Sequence, residues 1–146
     1  MDKRDNDIFL KGPISFNEIV KITEEHTVTT DVGAHSLFLG RVRADIRDEG
    51  TVTAIEFTAY KEMAQDKVNE ITNKILGKYH IPSLKFIHST GIVGVGEICL
   101  LVFTAGKHRR ETIDACNETV ELIKAELPVW GRELLDTDQH VWKKNI

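Results

Sequence analysis

The stretch GKHRRETIDACNETVELIKAELPVW, residues 106–130, constrains the fold more than any other. Its apolar residues recur at helical spacing. With residues about 100° apart, Ile113, Cys116, Val120, Ile123 and Leu127 fall on one stripe. Pro128 ends the helix, because its ring lacks an N–H and disfavours helix in the residue before it. A helix from Arg109 to Leu127 must lay that stripe on another packed layer. Two features break local rules. Arg109 and Lys124 fall inside the apolar arc, about four turns apart, where an unpaired charge is costly. Lys107, His108, Arg109 and Arg110 crowd the helix N-terminus, whose partial charge is already positive, at up to about 0.3–1 kcal/mol per cation. A bound anion reverses that penalty, since free N–H groups and basic side chains then converge on it. Such violations mark sites more often than errors.

The flanking chain supplies the other layers. Ser15 and Glu18 have capping-box spacing and are followed by Phe16, Ile19 and Val20 as an apolar face, which predicts a short helix to about Glu25. Thr27 to Thr30 and Gly33 punctuate, and AHSLFLGRVR (34–43) reads as a strand. Its alternation sends His35, Leu37, Leu39, Arg41 and Arg43 to one face and Ala34, Ser36, Phe38, Gly40 and Val42 to the other. Arg41 and Arg43 thus form either a solvated strand end or an anion clamp. Ala44 to Gly50 is a charged loop, flexible or ordered on binding. Thr51 to Tyr60 alternates as a strand antiparallel to the first. Ala64, Val68, Ile71, Ile75 and Tyr79 predict an amphipathic helix over 62–79, with Tyr60 and Met63 packing at its start.

Leu84 to Thr90 is a strand, in which His88 shares a face with Leu84 and Phe86 and reads as a satisfied core histidine. GIVGVGE (91–97) is a turn or kink whose glycines do not match a dinucleotide fingerprint. Ile98 to Phe103 is apolar on both faces and suits a central strand. The sum is a mixed α+β domain: a mostly antiparallel sheet with two long helices and one short N-terminal helix. All of 1–146 reads as one domain, with 1–11 and 137–146 as flexible tails, although 1–11 also suits a short edge strand.

Composition narrows the chemistry. A length of 146 residues with 41 % hydrophobic content is enough for a real core. A net charge of −4 argues against a general nucleic-acid binder, so the basic residues matter by where they cluster. Cys99 and Cys116 lie in apolar patterns and read as small core residues. No pair of histidines or cysteines has metal-ligand spacing, and neither a nucleophile elbow nor a Walker A loop is present, so neither metal nor cofactor is expected. With no apolar leader and no run of about 18 apolar residues, a cytoplasmic protein that does not enter membranes is expected. What remains is cationic: Arg41, Arg43, His108, Arg109, Lys124 and Arg132. That set fits a small, multiply anionic substrate such as a phosphate ester. On a partly buried face beside other cations, Lys124 would favour its neutral amine and serve as acid, base or nucleophile, unless its head snorkels out to solvent.

FLGRVR (38–43), Tyr60 and Met63, IHSTG (87–91), GE (96–97), KHR (107–109), Lys124 and PVWGRE (128–133) together resemble the large, catalytic subunit of molybdopterin synthase. The likeness runs in order from about Gly33 to Glu133. It implies an α/β hammerhead fold and a homodimer within a heterotetramer. A small ubiquitin-like carrier subunit would thread a C-terminal Gly-Gly thiocarboxylate into each pocket. Sulfur would pass to cyclic pyranopterin monophosphate, forming the dithiolene of molybdopterin. Carried over residue by residue, Arg41, Val42, Arg43, His108, Arg109, Lys124, Gly131, Arg132 and Glu133 would bind substrate, Lys124 would be the catalytic lysine, and Phe38 would pack nearby. The family pattern has a second lysine directly after the tryptophan, where this chain has Gly131. Arg132 follows and can supply charge, but arginine stays protonated and does not replace a lysine in proton transfer. Lys143 and Lys144 are candidates to reach a neighbouring subunit's pocket. A non-catalytic relative that binds the carrier or an anionic ligand is the alternative that Gly131 keeps open.

Overall fold

The computed structural model describes residues 8–25 and 30–143. Residues 1–7, 26–29 and 144–146, among them Thr27 to Thr29 and Lys144, lie outside them. In chain order the elements are β1 (Phe9–Lys11), α1 (Phe16–Glu24), β2 (Ala34–Arg41), β3 (Ile46–Arg47), β4 (Gly50–Ala59), α2 (Lys61–Lys78), β5 (Ser83–Gly94), β6 (Ile98–Gly106), α3 (Arg109–Glu126), β7 (Val129–Leu135) and β8 (His140–Trp142). The strands run β2-β6-β5-β4-β7-β8 across one sheet, with β1 added to β5 and β3 to β4. Among the described residues only the β1–β5 pairing is parallel, so the mixed, mostly antiparallel architecture expected from the sequence is present.

Two helices cover one face of the sheet and one covers the other. On the first face Ala64, Val68, Ile71 and Ile75 of α2 and Ala115, Cys116, Val120 and Ile123 of α3 pack with Phe86, Leu100 and Val102. On the second, Ile14 and Ile22 pack with Leu101, Phe103 and Ala105. Alternate residues of β6 therefore enter opposite cores, which is why that strand is apolar throughout. A third cluster, including Val42, Val52, Ile55, Phe57, Val93 and Leu135, lies at the β4–β7 end.

Strand β5 joins the two ends. Residues Ser83 to His88 pair with β6, and Gly91 to Gly94 pair with β4. The bend falls at Gly91, whose φ of +76° is a conformation that side-chain-bearing residues rarely adopt. The sequence ends this strand at Thr90; in fact the chain passes through the glycine and turns only beyond Gly94. Strand β4 pairs with β3, β5 and β7, not with β2, whose neighbour is β6. The charged loop 44–50 contains the short β3–β4 ladder. Both terminal segments read as tails contribute strands, β1 on β5 and β8 on β7.

Helix α3 has its expected span, but its buried face is rotated. Thr112, Ala115, Cys116, Thr119, Val120 and Ile123 are buried, while Ile113 is 54 % exposed. The two threonines can be buried because each satisfies its hydroxyl within the helix: Thr112 Oγ1 donates to the His108 carbonyl and Thr119 Oγ1 to the Ala115 carbonyl, both at 2.7 Å. With that face turned inward, Arg109 and Lys124 are exposed and not on the buried arc. In α1 the polarity also differs from expectation: Phe16 and Val20 are exposed, Ile22 is buried, and Ser15 makes no side-chain cap.

Candidate active site

The last turn of α3 and the turn at Pro128 form one wall of a cavity of about 400 Å³. Lys124 and Ile123 come from the helix, Trp130 and Gly131 from β7, Phe57 from β4, His88 from β5, Cys99 and Leu100 from β6, and Lys143 from the end of β8. The lining mixes apolar side chains with polar and titratable ones in comparable measure, a few functional groups set among Phe57, Leu100, Ile123 and Leu127. At the mouth, Tyr60 and Trp130 meet edge to face at 4.9 Å, and both are exposed with Met63. Met63 also lines the cavity.

Register explains how β7 divides its residues. Gly131 lies opposite Phe57 and Glu133 opposite Ile55, on the pocket-side face; Arg132 lies opposite Glu56, on the other. Strand β8 extends the same sheet, and the Lys143 amide donates to the Gly131 carbonyl at 2.8 Å. Lys143 thereby shares a face with Gly131. A Cβ added at Gly131 would lie 3.0 Å from Ile55 Cγ2, 3.3 Å from Phe57 Cε1 and 3.5 Å from Lys143 Cβ. The glycine leaves room that its neighbours already border closely.

The pocket sets the protonation of its own groups. His88 Nδ1 lies 2.8 Å from the Ser89 carbonyl, which can only accept, so Nδ1 carries hydrogen and Nε2 is an acceptor. Burial, and then the charges of Lys124 and Lys143, hold His88 down to about 4 despite that bond, so its ring is neutral near pH 7. It also stands edge to face with Phe57 at 5.1 Å. Burial pushes the Cys99 thiol up, opposed by the same two lysines. Lys143 lies below the ordinary lysine range, first because of burial and next because of Lys124; Arg43 adds to this, while Cys99 and Glu133 oppose it.

Of the sequence-predicted residues, Lys124 and Gly131 line this cavity. Arg43 is exposed and pairs with Asp45 at 3.2 Å, close enough to the cavity for its charge to act on Lys143. Arg41 is exposed beside it, its Nε donating to the Gly96 carbonyl at 3.0 Å. Val42 between them is buried, and its amide and carbonyl are bonded to Glu97 and Gly96. Glu133 is 3 % exposed and held by Arg47. Arg132 is paired with Glu56 on the opposite face. Phe38 packs in the first core cluster. His108 and Arg109 sit at the start of α3, about 22 Å from Lys124 at 1.5 Å per residue. One chain does not bring the two ends of that helix together.

Sequence reasoning missed Cys99 and His88 as pocket residues, and it sends Lys143 to a neighbouring subunit's pocket, whereas Lys143 lines the cavity of its own chain. His88 is the buried, hydrogen-bonded histidine expected, yet it also faces the cavity. Lys143 carries no local signal, because its position depends on the β7–β8 register. Among the described residues no group of three or more metal-ligating side chains converges, and no helix is long and apolar enough to cross a membrane.

Comparison with known families decides the relationship. The family model described as MoaE protein matches residues 10–126. The chain belongs to the MoaE family. A molybdopterin synthase catalytic subunit from Thermoplasma volcanium is 33 % identical over 112 residues, covering 77 % of this chain and 81 % of its own. One from Pyrococcus abyssi is 36 % identical over 132 residues, covering 87 % and 84 %. Among solved structures, molybdopterin synthase from Staphylococcus aureus superposes with a TM-score of 0.82 at 24 % identity over 95 % of this chain and 97 % of that one. A complex of subunits 1 and 2 of molybdopterin-converting factor from Helicobacter pylori gives 0.78 at 22 %, over 95 % and 90 %. These two share the MoaE fold. The family match ends at Glu126, short of Gly131 and Lys143.

Proposed function

We propose that this chain is the sulfur-transferring subunit of a molybdopterin synthase and that the cavity beside Lys124 is its reaction site. A small ubiquitin-like carrier would insert its C-terminal Gly-Gly thiocarboxylate there, and sulfur would pass to cyclic pyranopterin monophosphate to build the dithiolene. The observation that carries the reading is Lys124 of a MoaE-family chain lining a cavity of about 400 Å³ beside the turn at Pro128. An extended Gly-Gly tail suits such a cavity, and the exposed Tyr60, Met63 and Trp130 give its mouth an apolar rim for the carrier's surface. The complex of subunits 1 and 2 in the Helicobacter pylori relative supports a two-subunit assembly.

Lys124 is the principal catalytic lysine in this reading. Arg43 and Arg41 meet the substrate's anionic groups at the rim. His108 and Arg109 are too far along α3 to serve the same chain's cavity, so they act in the site of a second copy, within a homodimer that carries two carriers. Cytoplasmic residence accords with two free cysteines, Cys99 and Cys116. The test is to mix the protein with thiocarboxylated carrier and cyclic pyranopterin monophosphate and to assay the dithiolene. Product formation supports the reading. Tight carrier binding without product would reduce the chain to a binding relative.

A further inference from the structure

The residue after Trp130 is glycine, and the cationic side chain that follows it in sequence points away. A second amine nevertheless enters the cavity from elsewhere. Lys143 lines it together with Lys124, and its backbone is bonded to Gly131. Its Cβ lies 3.5 Å from where a Gly131 Cβ would stand, so its side chain begins directly beside the place of a residue-131 side chain. We propose that Lys143 is the second catalytic lysine of the sulfur-transfer site inferred above, reaching in from β8 through the space Gly131 leaves and holding and releasing a proton at Nζ beside Lys124.

The charged and titratable groups around Lys143 come from every wall. Lys124 faces it from α3 and Arg43 from the end of β2; Glu133 acts from β7, Cys99 from β6 and the neutral His88 from β5. Burial and the two cations disfavour its ammonium, and Glu133 opposes them without reversing the direction. Glu133 is engaged by Arg47, which limits its pull. Lys143 is therefore an amine that exchanges a proton closer to neutral pH than a surface lysine does. Arg132, held by Glu56 and permanently charged, cannot do this.

The test uses the reconstituted synthase. Lys143→Ala should lower kcat on the order of 100-fold or more, the usual size of a lost acid–base group, with carrier binding retained. Lys143→Arg should be as inactive, because charge without proton exchange is not enough. The wild-type pH–rate profile should carry a limb that Lys143→Arg removes. Wild-type kcat in Lys143→Ala, or an arginine variant that restores kcat across the pH range, would overturn the proposal. A readout independent of turnover is competitive acetylation at pH 8 with peptide mapping. Lys143 should react faster than the exposed Lys61 and Lys74, and a Gly-Gly-terminated peptide should protect it; equal or slower reaction would count against it. Failure of the wild type to form dithiolene would instead sink the sulfur-transfer reading, with the acetylation result still deciding whether Lys143 is a pocket amine of this kind.

Discussion

Arg47 grips Glu133 at two points, Nε to Oε1 at 2.9 Å and Nη2 to Oε2 at 3.0 Å, across 86 residues of sequence. The carboxylate is almost wholly buried, whereas the guanidinium is partly open to solvent. A charged loop thereby becomes a clamp on β7 beside the cavity. Removing one partner of such a pair leaves the buried charge uncompensated. Arg47→Ala should lower the melting temperature. It should also leave Glu133 free to favour the ammonium of Lys143, moving the acetylation profile of Lys143 to higher pH. Calorimetry and peptide mapping check the two effects, and an unchanged Lys143 profile would disconnect the clamp from the site.

Lys124 stands on the exposed side of the last turn of α3, with its helix packed through other residues. At the favourable end of the helix dipole it contributes about 0.3–1 kcal/mol. Lys124→Ala should thus abolish dithiolene formation, on the order of 100-fold or more in kcat, while folding and carrier binding survive. Single-turnover assays and a denaturant titration together test this. Substantial residual activity would remove Lys124 from the chemistry.

The long helices were legible because Pro128 and the repeats of Ala64, Val68, Ile71 and Ile75 are local signals. The rotation of α3 was not, since hydropathy counts Thr112 and Thr119 as polar although each bonds back to its own helix. Lys124 and Gly131 were found by motif. The role of Arg132 and the entry of Lys143 depend on cross-strand register, which pairs Glu56 with Arg132 and sets β8 against β7. No sequence window contains that information. The bend at Gly91 is intermediate: the glycine announces a special conformation, but not that the strand continues past it.

Arg132 gives a prediction opposite to the one its sequence neighbourhood suggests. Its ion pair with Glu56 lies on the far face of the sheet, with both side chains 36 % exposed. Partly exposed pairs contribute about 0–1 kcal/mol. Arg132→Ala should therefore change stability little and leave KM for the carrier at the same chain's cavity unchanged. Steady-state kinetics over a range of carrier concentrations measures this, and a large rise in KM would show that Arg132 reaches a bound partner from that face.

His88 makes stability depend on pH in a definite direction. In the unfolded chain its imidazole titrates near 6.5, whereas in the fold it stays neutral down to about 4. Between those values the unfolded state binds the extra proton, so acid favours unfolding. The contribution is fully present above about pH 6.5 and is lost as pH falls toward 4. At about 1.4 kcal/mol per pH unit it amounts to roughly 3 kcal/mol. His88→Gln removes the titrating ring, so between pH 7 and pH 4.5 the variant should lose less stability than the wild type. The other histidines titrate in both proteins, which makes the difference between the two urea midpoints the quantity to measure. Parallel loss in both would mean that the ring at position 88 takes up its proton without unfolding, and that the cavity admits enough water to solvate it.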